Sequence, residues 1–190
     1  AEQNLQLRRK TKSKPTLVKI QDEEKDVEEA LYFKMCSDLP LYQDKIKRDK
    51  DLYKAEFFKF LKVFIKNFNN FLETPSNSHA EIKDIFVFLA HLSHIFTREL
   101  AFLPAQLSQL LEHSHAIIHP ETRLSIIECF NLLRKKNLIE PIDILPLFFQ
   151  LLTCQDKELR TCLQEIIVND LHRINEKSKN IKVNKFIRNK

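Results

Sequence analysis

The sequence predicts an all-α protein of stacked helix pairs, preceded by an extended basic segment. Three observations carry that prediction. Apolar residues recur at helical spacing through most of residues 51–175. The seven prolines fall at or near points where the helical pattern starts, stops or restarts. Glycine is absent, where average usage would give roughly 13. Tight β-hairpins usually need residues at positive φ, which glycine supplies most readily. The same absence excludes Walker loops, dinucleotide fingerprints, nucleophile elbows and kinase phosphate loops.

The elements follow in order. Residues 1–20 are polar and basic, contain Pro15, and are expected to be extended. Residues 21–50 are expected to hold short helices. Glu23–Met35 carries acids in its first turn, as the helix dipole prefers. Pro40 breaks that helix, and Leu41–Lys47 forms another. The helical-repeat domain spans residues 51–175. It opens with Phe57, Phe60, Leu61, Phe64, Phe68, Phe71 and Leu72 on one face and Lys59, Lys62 and Lys66 on the other. A basic amphipathic helix of this kind suits a membrane surface. The simpler reading is a phenylalanine face packed on the next helix, with the lysines in water.

Pro75 ends this helix. Ser78, with Glu81 three residues on, forms a capping box for the next. Its inward stripe is Ile82, Ile85, Phe86, Leu89 and Phe96. Pro104 suits the first position of a shorter helix ending near Glu112. His119-Pro120-Glu121 opens a longer one, with Ile126, Cys129, Phe130 and Leu133 inward. Arg134, Lys135 and Lys136 crowd its last turn, where cations favour the dipole. Pro141 or Pro146 begins the next helix, through Leu147, Phe148, Leu151 and Leu152. Asp156 caps another, with Leu159, Leu163, Ile166 and Leu171 inward. Residues 176–190 form a basic terminal helix, capped by Asn180, or a tail.

These helices fall into three pairs: Phe57–Leu72 with Ile82–Phe96, Pro104–Glu112 with Glu121–Lys136, and Ile142–Thr153 with Lys157–Ile174. The second members recur at a spacing of about 38–39 residues, the period of a HEAT-like α-solenoid. An irregular helical bundle is the alternative architecture. Phe130, Leu133, Phe148, Leu151, Leu163 and Ile166 are the residues expected to hold the stack together.

No constellation for catalysis stands out, and the chain is expected not to be an enzyme. Glu112, His113, His115 and His119 lie close in sequence, but in an expected loop and without a second ligand group. His91 and His94 lack the HExxH context. No catalytic residue, metal or cofactor is assigned. Cys36, Cys129, Cys154 and Cys162 have no CxxC spacing and sit in apolar helical contexts. They are expected to pack as buried free thiols. No secretory signal is visible, which points to a reducing compartment. No apolar run of membrane-spanning length exists. The chain begins with Ala1, so a fragment of a longer protein, or a set of its pieces, is expected.

The formal net charge of +5 is unevenly spread. Residues 1–14 and 172–190 are strongly basic, while the body between them is mildly acidic. Basic ends on such a body suit contact with nucleic acid or another polyanion, or simply solvation.

The segments Leu132-Leu133-Arg134-Lys135-Lys136-Asn137-Leu138-Ile139, Leu147-Phe148-Phe149-Gln150-Leu151-Leu152 and Asp156-Lys157-Glu158-Leu159-Arg160 carry a family resemblance. Ile167-Val168-Asn169-Asp170 and Asn175-Glu176-Lys177-Ser178-Lys179-Asn180 continue it. Upstream, Ile46-Lys47-Arg48-Asp49 with Tyr53, and Phe88-Leu89-Ala90 with His94, follow in the same order. Together, over roughly residues 39–185, they resemble the N-terminal part of the severe-depolymerisation-of-actin (SDA) family. Two departures are Lys136, where Asn-type residues are common, and the phenylalanine helix, which has drifted.

The resemblance implies a non-enzymatic factor in assembly and nuclear export of the large ribosomal subunit. Its implied partner is the pre-60S particle, with its rRNA, ribosomal proteins and other assembly factors. Its implied location is nucleus and nucleolus. It implies neither a small-molecule substrate nor a membrane. The alternative is an α-solenoid protein adaptor without RNA contact, linked to the actin cytoskeleton or to transport. The family supplies no catalytic residues. Candidate nucleic-acid contacts therefore rest on charge: Lys45, Lys47, Arg48, Lys50 and Lys54; Arg134, Lys135 and Lys136; and Arg173, Lys177, Lys179, Lys182, Lys185 and Arg188.

Overall fold

The computed structural model describes residues 14–75 and 80–177. Among them are eight α-helices and no strand. These are α1 (Lys14–Cys36), α2 (Leu39–Arg48), α3 (Lys50–Glu73), α4 (Ala80–Leu92), α5 (Leu103–Ser114), α6 (Pro120–Lys135), α7 (Pro141–Leu151) and α8 (Lys157–Lys177). Two compact units divide the chain, residues 1–68 and 69–190.

In the first unit, α1 starts at Lys14, well before the expected Glu23, so residues 14–20 are helical. Pro15 is tolerated because the first turn of a helix has no intrahelical use for its missing N–H. Pro40 likewise stands inside the first turn of α2, not at a break after α1. The α1–α2 corner is closed by Asp38, whose carboxylate accepts the Leu41 N–H at 3.1 Å. Asp49 does the same for α3, accepting the Leu52 N–H at 3.0 Å.

The phenylalanine face of α3 is inside, with Phe57, Phe60, Phe64, Phe68 and Phe71 all buried. Within the unit, Tyr32 of α1 stacks on Phe60 with ring centroids 5.0 Å apart. On the opposite edge Lys62 meets Glu28 at 2.9 Å and Lys66 meets Glu29 at 3.4 Å. Such exposed pairs add under about 1 kcal/mol each. Burial stabilises the unit more, by about 1.5–3 kcal/mol for each fully covered large apolar side chain. With Phe64 fully covered, the phenylalanine face of α3 is not available to a lipid surface. No described helix is long and apolar enough to cross a membrane.

The second unit is a two-layer stack. Helices α4, α6 and α8 lie side by side in one layer; α5 and α7 form the other. Helix α5 packs on α6, and α7 packs on α8. This is the alternating order that the 38–39-residue period predicts. Phe71, at the end of α3, meets Phe86 of α4 edge-on at 6.5 Å. Phe130 of α6 meets Phe148 of α7 edge-on at 6.2 Å. The six residues expected to hold the stack are all buried.

In the second unit the structure adds three details to the sequence expectation. Helix α4 stops at Leu92, and the chain turns through Ile95 and Phe96, whose N–H groups both reach the Leu92 carbonyl. Phe96 is nevertheless fully buried. Helix α7 begins at Pro141 and carries Pro146 inside it, where the ring removes a hydrogen bond to the Ile142 carbonyl. Near the end of α8, Asp170 is buried while Leu171 is half-exposed. The proposed cap Ser78 and the terminal segment opened by Asn180 lie outside the described residues.

The glycine-free chain still needs a left-handed residue, and Asn137 supplies it at φ 56°. It ends α6 in a Schellman turn. The Leu138 N–H reaches the Leu133 carbonyl at 3.0 Å, and the Asn137 N–H reaches the Arg134 carbonyl at 2.9 Å. Asparagine is the side chain that best replaces glycine there.

Candidate functional site

Adjacent helices of the α4–α6–α8 layer are joined by polar pairs as well as apolar contact. Lys83 near the start of α4 meets Glu121 in the first turn of α6 at 2.6 Å. That contact holds the Lys83 ammonium above its usual range and the Glu121 carboxyl below its own. At the other end of the same helices, Lys136 donates to the Ala90 carbonyl at 3.2 Å and the His91 carbonyl at 2.5 Å. Its ammonium also lies 2.9 Å from His94 Nδ1. The Lys136 ammonium thus closes the last turn of α4, where carbonyls lack intrahelical partners.

The α6–α8 junction repeats the plan. Arg123 reaches across to Asp156 at 2.7 Å and donates to the His115 carbonyl at 2.5 Å. Asp156 is also the cap of α8, accepting the Leu159 N–H at 3.2 Å. Burial pushes its carboxyl upward, yet the Leu159 N–H, the Arg123 guanidinium and the Glu158 N–H together hold it below the usual carboxylate range. Three turns along α6, Arg134 pairs with Asp170, both side chains only 3% exposed. The guanidinium lies over the Phe148 ring, 5.9 Å from its centroid. Pairs near both ends fix α4, α6 and α8 parallel and in register.

These contacts revise the set of candidate cations. Arg134 is committed inward to Asp170, so it is not a surface cation for phosphate. Lys136 is committed to the end of α4. Of that triplet, only Lys135 is exposed. In the first unit Lys47, Arg48, Lys50 and Lys54 are exposed and Lys45 is half-buried over the Tyr42 ring at 5.0 Å. Lys54 lies over the Phe58 ring at 5.6 Å. Asp44, Asp49, Asp51 and Glu56 interleave with these cations, so this surface is locally close to neutral. The side chains of Arg173 and Lys177, and all of Lys179, Lys182, Lys185 and Arg188, lie outside the described residues.

No set of three His, Cys, Asp or Glu side chains stands together as metal ligands among the described residues. Glu112 and His113 belong to α5, not to a loop, and His113 and His115 bond backbone carbonyls of that helix at 2.8 and 3.0 Å. Cys129 is buried, and burial pushes its thiol well up, away from nucleophilic use. Cys36, Cys154 and Cys162 are only half-buried, and Cys154 lies in the turn after α7 instead of a helix.

Two concavities open on the second unit. One, of about 400 Å³, lies between α5 and the start of α7, over Phe130, Leu138 and Ile144, with Glu140 and Asp143 at its mouth. The other, of about 350 Å³, runs between α6 and α8. It is lined by Asn131, Lys135, Asn169, His172 and Ile166, with the Arg134–Asp170 pair as floor. Sequence reading missed Asp170 and this groove. The available signal was Asp170 four residues after Ile166, inside an inward stripe, where a carboxylate needs a buried partner.

A family model described as "SDA1, HEAT repeat" matches residues 88–190. The chain is 39% identical over 156 residues to the SDA1 homolog of Xenopus tropicalis, which covers 82% of this chain and 23% of that protein. It is 38% identical over 146 residues to the SDA1 homolog of Drosophila melanogaster, covering 77% of this chain and 20% of the relative. Protein SDA1 of Chaetomium thermophilum is 29% identical over 159 residues, 81% of this chain and 21% of that protein. The chain therefore spans less than a quarter of the length of these relatives. With its all-helical HEAT-repeat architecture and these matches, the chain belongs to the SDA1 family.

Proposed function

We propose that this chain is a non-enzymatic scaffold that binds pre-60S particles during assembly and nuclear export of the large ribosomal subunit. The observation that carries the scaffold part is the α4–α6–α8 layer. Three parallel helices are locked by polar pairs at both junctions, giving a rigid face for a macromolecule. The ribosomal part rests on membership of the SDA1 family and on what the family resemblance implies. Nucleus and nucleolus are the corresponding locations. Lys135 and the basic residues from Arg173 onward are the proposed phosphate contacts, with the first-unit cations as a weaker second set.

One observation favours a second reading, a protein adaptor without RNA contact. The acids interleaved with Lys45, Lys47, Arg48, Lys50 and Lys54 leave little net attraction for phosphates there. Affinity purification of the tagged chain tests the first reading. Large-subunit precursor RNA and assembly factors are the expected co-purifying species. Actin or vesicle proteins in their place would remove the ribosomal reading. Titration with purified precursor rRNA separates the two readings. Phosphate contacts predict that log K falls linearly with log salt, whereas an affinity indifferent to salt selects the adaptor.

A further inference from the structure

We propose that the groove between α6 and α8 binds an extended peptide segment carrying a cation and an anion three residues apart. The proposal deepens the scaffold reading and rests on it. Both walls of the groove present the same order of chemistry. Along α6 stand Glu128, Asn131 and Lys135; along α8 stand Glu165, Asn169 and His172. Each triplet falls at positions i, i+3 or i+4, and i+7, which share one helix face. Each is exposed or half-exposed. Because α6 and α8 are parallel and in register, like meets like across the groove. Glu128 and Glu165 stand one turn before Asn131 and Asn169 on these faces, just beyond the residues that line the cavity, and the carboxylates of both act on the Cys162 thiol, which burial already pushes up. Asn131 and Asn169 form the middle, while Lys135 and His172 form the other end.

This arrangement dictates the occupant. The floor adds no net charge, because Arg134 and Asp170 neutralise each other. A carboxamide offers N–H donors and a carbonyl acceptor, matching the N–H and C=O of an extended backbone. Neither Asn131 nor Asn169 spends its side chain on a hydrogen bond among the described residues. Seven helical residues span roughly 10 Å, which an extended chain covers in about three residues. A peptide cation at the glutamate end then places an anion three residues away beside Lys135 and His172. A nucleic-acid strand laid along the whole groove fits poorly, since Glu128 and Glu165 would repel its phosphates at one end, whereas a single phosphate at the Lys135 end is compatible.

Fluorescence anisotropy with the full 190-residue chain tests this. The probe is a labelled octapeptide with Arg-Ala-Ala-Glu at its centre. Controls have Arg and Glu adjacent, or Glu-Ala-Ala-Glu. The first peptide is expected to bind about fivefold or more tighter than either control. Asn131→Ala with Asn169→Ala is expected to weaken it about tenfold. Glu128→Lys with Glu165→Lys is expected to transfer the preference to Glu-Ala-Ala-Glu. All four positions are surface-facing, and an unchanged far-UV spectrum and thermal midpoint verify each variant. If the asparagine pair fails to fold, the charge swap decides alone.

Equal affinity for the three peptides, no saturable binding, or an unchanged preference after the charge swap would overturn the proposal. So would asparagine-dependent binding of an octauridylate in place of the peptide. Failure here, with pre-60S co-purification intact, removes the groove assignment and leaves the scaffold reading standing.

Discussion

At the residue scale, the most consequential side chains are charged ones turned inward. Arg134 and Asp170 pair at 3% exposure each, so either one alone is a buried unpaired charge. Arg134→Met is expected to cost about 3–5 kcal/mol in urea unfolding, while Arg134→Met with Asp170→Leu recovers most of that loss. Equal losses for the single and double variants would contradict the pairing. Asp156 has a different dependence. Its folded-state carboxyl lies below the unfolded value, so its contribution is complete above about pH 4. That contribution is lost as pH falls through the folded value. Asp156→Asn keeps a competent cap and removes only the charge. The variant is expected to be less stable than the parent at pH 7, with the gap closing below about pH 4. Neither residue's partner was legible in the sequence. Periodicity marks which face is inward, but the Arg134–Asp170 contact joins helices from different repeats. The triplet Arg134-Lys135-Lys136 looked like a basic patch because adjacency in sequence hides three different directions around a helix.

At the scale of elements, helix order and the pairing of α5 with α6 and of α7 with α8 were legible, and ends were less so. The apolar stripes of α3, α6, α7 and α8 follow from spacing alone, since each needs a covered face. Prolines gave the start at Pro120 and left the next between Pro141 and Pro146, of which Pro141 is the start, while Pro15 and Pro40 lie within first turns, where a missing N–H costs nothing. Pro146 is the exception. It stands exposed inside α7 and removes an intrahelical bond. Pro146→Ala should therefore raise stability by about 1 kcal/mol or more, read as a higher thermal midpoint with no lost packing. An unchanged or lower midpoint would mean the ring has a packing role. The polar groove between α6 and α8 was illegible for a related reason. Its residues are ordinary surface types, and only the register of two helices gives Glu128, Asn131 and Lys135 a matching row in Glu165, Asn169 and His172.

At the scale of the whole molecule, the sequence period implied the two-layer stack, and the structure adds how its members are locked. Lys83–Glu121, Lys136 with the end of α4, Arg123–Asp156 and Arg134–Asp170 join successive helices of one layer. That rigidity suits a scaffold that presents faces instead of enclosing a substrate. The step to ribosome assembly comes from the SDA1 family, not from the helix stack. Gradient sedimentation of the tagged chain, with and without ribonuclease, tests that step most directly. The expected result is migration with large-subunit precursors, lost to the top of the gradient once ribonuclease dismantles the particle. A chain that stays at the top under both conditions would contradict the ribosomal role.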